Sequence, residues 1–329
     1  TVVSTRTVTL PHEWAKIHAE RNSDAPAVVS DGSTLSYGEL DRRADAHAGQ
    51  LSDAGIGEGD LVAIDAVSVP ETIVALVGTH RCGAVAVPRG PTSLDTAASI
   101  DRSAYAVVPT SGSSGSPRGV ILTDRNVVAA VDASQRRLGN GPHDRWLLTL
   151  PLFHVGGLSI VWRSLAAGGS IELHRRFETD AVISALRGGA VTFASFVPTM
   201  LYRILERDSG PYAGLAAILL GGASASSGLV ERALLAGLPV LQTYGMTEAG
   251  SQVATVERGT ALRALGTAGP PLNGFVVSIE NGEILVDGPA VSPGYVGEAP
   301  RVGAHRTGDL GHFDTEGRLI VNGRKDGVI

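Results

Sequence analysis

The stretch Tyr105-Ala-Val-Val-Pro-Thr-Ser-Gly-Ser-Ser-Gly-Ser-Pro-Arg-Gly-Val-Ile-Leu-Thr-Asp-Arg-Asn126 decides how the chain is read. Residues 105–108 are an apolar run of the kind that forms a buried strand. A loop of glycine and small hydroxyl residues follows from Thr110 to Gly115, and then Pro117, Arg118 and Gly119. A short apolar run leads to a helix start near Thr123 or Asp124. Such a loop leaves many backbone N–H groups unobstructed and adds hydroxyl donors and a cation, which is what a polyphosphate needs. It is not a Walker A loop, because Pro117 stands where that spacing requires glycine. The Gly-x-Gly-x-x-Gly spacing fails as well. A flexible Ser/Gly linker is the alternative. The apolar runs on both sides and the closing Pro-Arg-Gly speak against it.

Outward from this stretch, strands and helices alternate. Upstream, residues 11–21 have a helical pattern, 27–30 form a short strand, and Asp31-Gly32 is a turn pair. Ser36 and Glu39 make a capping box for a helix that ends at Gly55. Residues 61–66, 71–81 and 84–87 continue as strand, helix and strand. Downstream, strands at 146–150, 170–173, 191–194, 216–220 and 240–243 alternate with helices at 156–167, 181–186, 199–206 and 229–236. This order predicts an α/β fold of layered, mostly parallel sheets with flanking helices. From Gly266 the texture changes to short β segments with Gly, Pro and Asn turns. Asn281-Gly282 is a type I′ hairpin signal between 275–280 and 283–286, and Glu316-Gly317 marks another turn. The expected organisation is a layered body over 1–264, a distorted β subdomain over 265–322 and a hinge over 323–329.

Composition narrows the function classes. With 329 residues and 43% apolar content, the chain can bury a substantial core and is not globally disordered. A net charge of −6 without a long basic run argues against a general nucleic-acid binder. One cysteine, Cys82, excludes an intrachain disulfide framework and a cysteine-rich metal site, and fits a reducing cytoplasm. No apolar run approaches the ~20 residues of a membrane span. The start at Thr1 lacks a signal-peptide pattern and reads as trimmed.

Further stretches carry chemistry. Pro151-Leu-Phe-His154-Val-Gly-Gly157 follows a strand and opens a helix. Its glycines let a ligand approach the backbone, and an aromatic–His pair there can wall a pocket. A hydrogen-bonded structural histidine fits His154 equally well. Gly221-Gly222-Ala223-Ser224 sits at a strand end, the usual ligand crevice of α/β sheets, though a Gly-Gly turn alone signals only tight packing. In Gln242-Thr-Tyr244-Gly245-Met246-Thr247-Glu248, Tyr244 can stack on a purine, Thr247 can donate to a phosphate, and Glu248 offers a hard oxygen to Mg²⁺. Alone, this is also a polar loop with a solvated glutamate. In Thr307-Gly308-Asp309 the carboxylate can accept both hydroxyls of a ribose. Taken singly, that stretch and Gly323-Arg324-Lys325-Asp326 each read as a charged turn.

Together these stretches resemble the adenylate-forming superfamily of acyl- and aryl-CoA synthetases, adenylation domains and luciferases. The phosphate loop is similar to its signature, with Arg118 where lysine is usual. Arginine keeps the charge and adds donors. Tyr244 to Glu248 matches the family's Tyr-Gly-x-Thr-Glu, and the resemblance covers essentially the whole chain. It implies that Thr110, Arg118, His154, Thr247 and Glu248 serve the reaction, with Glu248 on Mg²⁺. It implies that Ser111, Gly112, Ser113, Ser114, Gly115, Gly222, Ala223, Ser224, Tyr244, Gly245, Asp309 and Arg324 hold the nucleotide. His154, Gly156, Arg163, Ser195, Gly221, Gly222 and Met246 would line the acyl pocket. The implied partners are ATP, Mg²⁺, CoA and a small-molecule carboxylic acid. A homodimer is compatible with this reading.

Within the superfamily, residues 144–168, the stretch 196–203 and the short passage before the phosphate loop are similar to a branch of CoA ligases whose acid carries a second, unactivated carboxylate. Arg163 lies among Ile160, Val161 and Trp162 on one predicted helix, where a cation is costly to bury unless paired. It is a candidate to bind that second carboxylate; a structural salt bridge or a snorkelling arginine is an equal alternative. Other acids, a carrier-protein-loading ligase and a non-catalytic nucleotide-binding module also remain open. The passage 89–103 is shorter than the family pattern, either because it is lean or because residues are absent. The family also has a small C-terminal domain of ~100 residues, whose lysine bridges the carboxylate and the α-phosphate. The sequence read here is therefore expected to bind ATP or adenylate and, by itself, to adenylate slowly.

Overall fold

The computed structural model describes residues 9–90, 103–110, 118–208 and 210–327. A short 3-10 turn at Pro11–Glu13 leads into α1 (Trp14–Arg21), β1 (Pro26–Ser30), β2 (Ser33–Ser36), α2 (Tyr37–Asp53), β3 (Leu61–Asp65), α3 (Pro70–Arg81) and β4 (Val85–Arg89). Strands β5 (Ala104–Thr110) and β6 (Arg118–Thr123) flank the hydroxyl–glycine stretch, and α4 (Asp124–Leu138) follows. Then come β7 (Arg145–Leu148), α5 (Val155–Ala167), β8 (Ser170–Leu173), α6 (Thr179–Arg187), β9 (Phe193–Phe196), α7 (Pro198–Arg207), β10 (Ala217–Leu220), α8 (Ser227–Leu235), β11 (Val240–Met246) and β12 (Ser251–Thr255). The last part comprises β13 (Val276–Glu280), β14 (Glu283–Asp287), β15 (Gly294–Tyr295), β16 (His305–Phe313) and β17 (Leu319–Arg324).

The strands form three sheets, ordered β12-β11-β10-β9-β7-β8-β1-β2, β15-β6-β5-β4-β3 and β13-β14-β16-β17. The interior pairs of the first sheet are parallel, and its edge strands β12 and β2 run antiparallel to their neighbours. Strands buried on both faces need continuous apolar sequence rather than alternation. Ala217-Ile-Leu-Leu220 is buried at every position, and β5 is buried along all but its last residue. One hydrophobic cluster joins the two larger sheets through helices α1 to α5, including Tyr37, Ile73, Leu148 and Leu158. Thr123 caps α4, where its hydroxyl accepts from the Asn126 amide and Asn126 returns a carbonyl oxygen to the Thr123 amide. Asn281 and Gly282 both have positive φ, 51° and 82°, which builds the expected I′ hairpin between β13 and β14.

Four features differ from the sequence reading. The stretch after Thr243 is not a loop at first: β11 continues to Met246, paired with an antiparallel β12 that periodicity did not reveal. The apolar run after the phosphate loop is a strand, β6, antiparallel to β5. Within the β-rich last part, β15 pairs with β6 of the body rather than joining the β13-β14-β16-β17 sheet, a pairing that local pattern did not reveal. Strand β17 also runs through Arg324, so the first two residues of the expected hinge are strand. Among the described residues, no helix is long and apolar enough to cross a membrane.

Candidate functional site

A cavity of about 450 Å³ opens beyond the carboxyl ends of β7, β9, β10 and β11. That is where ligands enter open α/β sheets. His154, Gly156 and Arg163 reach it from the start and body of α5, Ser195 from β9, Gly221 and Gly222 from the turn after β10, and Met246 and Thr247 from the end of β11. All the residues expected to line the acyl pocket therefore share one space. Ala223 and Ser224 are exposed in the turn that leads to α8 and are not part of the wall. His154 is the N-cap of α5, with its ring 4.4 Å from that of Phe153. Desolvation holds its pKa below the ordinary imidazole value.

Arg163 dominates the inner end. Only 3% of its surface is exposed, and burial depresses its pKa to about 9. Among the described residues no carboxylate lies within ion-pair distance of it. Its guanidinium donates to Ser251 Oγ at 3.0 Å and lies 5.2 Å from the Trp146 ring centroid. Ser159 Oγ donates to the same Ser251 oxygen, and Trp146 Nε1 donates to Ser195 Oγ. Ser251 is held at φ 127°, a strained conformation for a residue with a side chain. Neither the salt bridge nor the snorkelling alternative describes Arg163. It is a buried cation facing a cavity, with a hydroxyl and an aromatic face as its recorded partners.

A second constellation adjoins the cavity at Thr247. Tyr244, on β11, donates to Asp309 Oδ2 at 2.6 Å, and Arg324 donates to Asp309 Oδ1 at 3.1 Å. Burial, reinforced by Asp309, pushes the Tyr244 phenol pKa up. Four residues further along the chain, Glu248 accepts from the Tyr295 hydroxyl at 2.7 Å. The guanidinium of Arg118 lies 3.4 Å above the Tyr295 ring and is held by both oxygens of Glu298. Thr110, opposite Arg118 across the β5–β6 ladder, donates its hydroxyl to the Arg118 carbonyl. His305, on β16, has its pKa held down by burial and also senses Glu248, Arg301, Arg118 and Asp309. Tyr244, Glu248, Asp309, Arg324 and Arg118 thus fall into two short contact chains, Tyr244–Asp309–Arg324 and Glu248–Tyr295–Arg118, and His305 senses a carboxylate from each. Ser111, Gly112, Ser113, Ser114 and Gly115 lie outside the described residues.

The sequence reading missed Trp146, Ser159, Ser251, Tyr295 and Glu298. None stands in a recognisable motif of its own. Gly245, already named from its motif, must keep its backbone bare where β11 meets β12, because a Cβ there would lie 1.8 Å from the Ser251 carbonyl oxygen. Among the described residues, no group of three or more His, Cys, Asp or Glu side chains converges to cage a metal. Mg²⁺ does not need such a cage. It commonly takes one or two carboxylates and completes its shell with water and substrate phosphates. Glu248, which accepts from the Tyr295 hydroxyl while the Arg118 guanidinium covers the Tyr295 ring, fits that pattern.

The geometry can be set beside known proteins. A family model described as AMP-binding enzyme matches residues 15–100 and 95–296. The 2-succinylbenzoate–CoA ligase of Bacillus licheniformis is 31% identical, with the match covering 96% of this chain and 80% of that protein. The 2-succinylbenzoate–CoA ligase of Bacillus cereus is 40% identical over 69% of this chain, which spans about half, 51%, of that relative's length. The o-succinylbenzoate CoA synthetase of Bacillus subtilis, solved with the acyl-adenylate intermediate OSB-AMP, aligns with a TM-score of 0.88 at 28% identity, covering 95% of this chain and 78% of that one. The same enzyme solved with ATP and magnesium ion gives 0.88 at 29% identity, covering 96% and 80%.

Proposed function

Because this chain belongs to the AMP-binding enzyme family, we propose that it activates a carboxylic acid with ATP, that the acid is 2-succinylbenzoate, and that the acyl group passes to CoA in menaquinone biosynthesis. In the first step the carboxylate attacks the α-phosphorus of ATP and pyrophosphate leaves with the electron pair of the broken P–O bond. In the second the CoA thiolate attacks the acyl carbonyl and AMP leaves. The cytoplasm supplies both ATP and reduced CoA.

The chain's own part is positioning and charge. The carboxylate of Asp309, already oriented by Tyr244 and Arg324, would accept the ribose hydroxyls. Arg118 and the donors of the phosphate loop take the β- and γ-phosphates, and Thr247 donates to the α-phosphate. Glu248 would hold Mg²⁺, which neutralises charge on the phosphates when bound. His154, whose protonated form desolvation disfavours, would border the reacting carboxylate. Such preorganised dipoles supply most of the rate where the protein needs no covalent step.

The observation that carries the choice of acid is Arg163. A cation buried without a carboxylate partner is costly, and the cavity it faces supports a ligand that brings one. The second carboxylate of 2-succinylbenzoate is that group. The test is pyrophosphate release from ATP with 2-succinylbenzoate and with its analogue lacking the unactivated carboxylate. The natural acid is expected to be strongly preferred. Arg163→Gln is expected to lower kcat/KM for the natural acid by about 100-fold, as for a lost charge-assisted contact, and to leave the analogue nearly unchanged. Equal rates for acid and analogue would remove this substrate. Release with some other acid alone would keep the reaction and change the branch.

A further inference from the structure

The contacts around Arg118 carry an inference that rests on the proposed reaction and deepens it. Arg118 opens β6, at the foot of the phosphate loop. Its Nε and Nη2 donate to Glu298 Oε1 at 3.1 and 2.7 Å, and Nη2 also reaches Oε2 at 2.8 Å. This is the fork geometry with which a guanidinium grips a phosphate. Glu298 is not a casual surface neighbour. Its amide donates to the Tyr295 carbonyl, which closes a turn directly after β15, and β15 is fixed to β6 by Tyr295 opposite Val120. The Val296 amide adds a bond to the Gly119 carbonyl. The carboxylate is therefore presented to Arg118 by backbone pairing with Arg118's own strand. The face of the guanidinium rests on Tyr295, whose hydroxyl is bound to Glu248.

We propose that Glu298 is a built-in stand-in for the nucleotide's phosphates: it holds Arg118 in the ligand-free protein and competes with the triphosphate for it. The fork faces of Arg118 that Glu298 occupies are those a phosphate would take. The Tyr295 ring covers the opposite surface, so the guanidinium keeps its plane while one anion replaces the other. About half of each partner side chain is exposed, 40% for Arg118 and 50% for Glu298. Such a pair is weak enough to exchange. Glu298 thus sets how strongly the site holds ATP and pyrophosphate, and it leaves adenosine, which has no phosphate, unaffected.

Calorimetric titration of ATP and of adenosine into wild type, E298Q, R118Q and the double variant tests this. E298Q is expected to tighten ATP by about two- to five-fold, the range of an exposed ion pair, with adenosine unchanged. The gain should be larger at low salt and vanish in the R118Q background. E298A should repeat the direction of E298Q. Unchanged or weaker ATP binding in E298Q, or equal tightening without Arg118, would overturn the proposal. ATP binding by the wild type with no response to E298Q removes only this inference. No ATP binding by the wild type would remove the proposed function with it.

Discussion

A guanidinium kept from water at Arg163 has consequences for stability as well as binding. Its folded-state pKa, about 9, lies well below the ordinary arginine range because of burial. The side chain is still charged at neutral pH, and folding carries the cost of desolvating that charge. As pH rises above about 9 the folded form sheds its proton before the unfolded form does, and the cost falls. Arg163→Met is therefore expected to raise the unfolding free energy at pH 7 by about 1–2 kcal/mol, with a gain that shrinks above pH 9. Urea denaturation at the two pH values measures it. A destabilised Met variant would show that Ser251 and Trp146 repay the charge in full. Affinity for the dicarboxylic acid should weaken above pH 9, whereas that for the analogue stays level.

At the scale of elements, the β11–β12 pair holds the site together. It brings Tyr244, Thr247 and Glu248 to one end and sets Ser251 against Arg163. The pairing is close enough that Gly245→Ala would place a methyl group inside van der Waals contact of the Ser251 carbonyl. The expected loss is about 3 kcal/mol or more, read from urea unfolding, together with weaker binding of both the acid and ATP. Full stability in that variant would mean that β12 can shift at no cost. Sequence periodicity identified β5 and β10 because strands covered on both faces are almost uniformly apolar. It did not reveal β12, whose polar Ser251 and Gln252 serve the cavity and a buried network to Ser134 and Thr255. A strand whose residues are chosen for a site loses the pattern that would announce it.

Across the whole molecule, motifs were legible and the contacts between them were not. Tyr244-Gly-x-Thr-Glu248 and Thr307-Gly-Asp309 could be recognised as separate stretches, because each does its work through adjacent residues. The bond from Tyr295 to Glu248 joins positions 47 apart, and that from Arg118 to Glu298 joins positions 180 apart. Both depend on β15 leaving the small sheet to pair with the body, a choice made by tertiary packing and invisible to local pattern.

His154 caps helix α5 on the wall of the cavity, and Arg163 follows nine residues further on, a separation of about 13 Å along the axis at the usual rise. A hydrogen-bonded helix neither stretches nor shortens, and its far end is clamped where the Tyr37 hydroxyl donates to the Gly169 carbonyl at 2.7 Å. If Arg163 binds the second carboxylate as proposed, this fixed separation is a gauge that grades diacids by reach. Homologues of 2-succinylbenzoate one methylene longer or shorter should lose roughly 10-fold or more in kcat/KM, while the same change in acids with a single carboxylate leaves little trace. A flat series of diacid rates would mean that the gauge is not read.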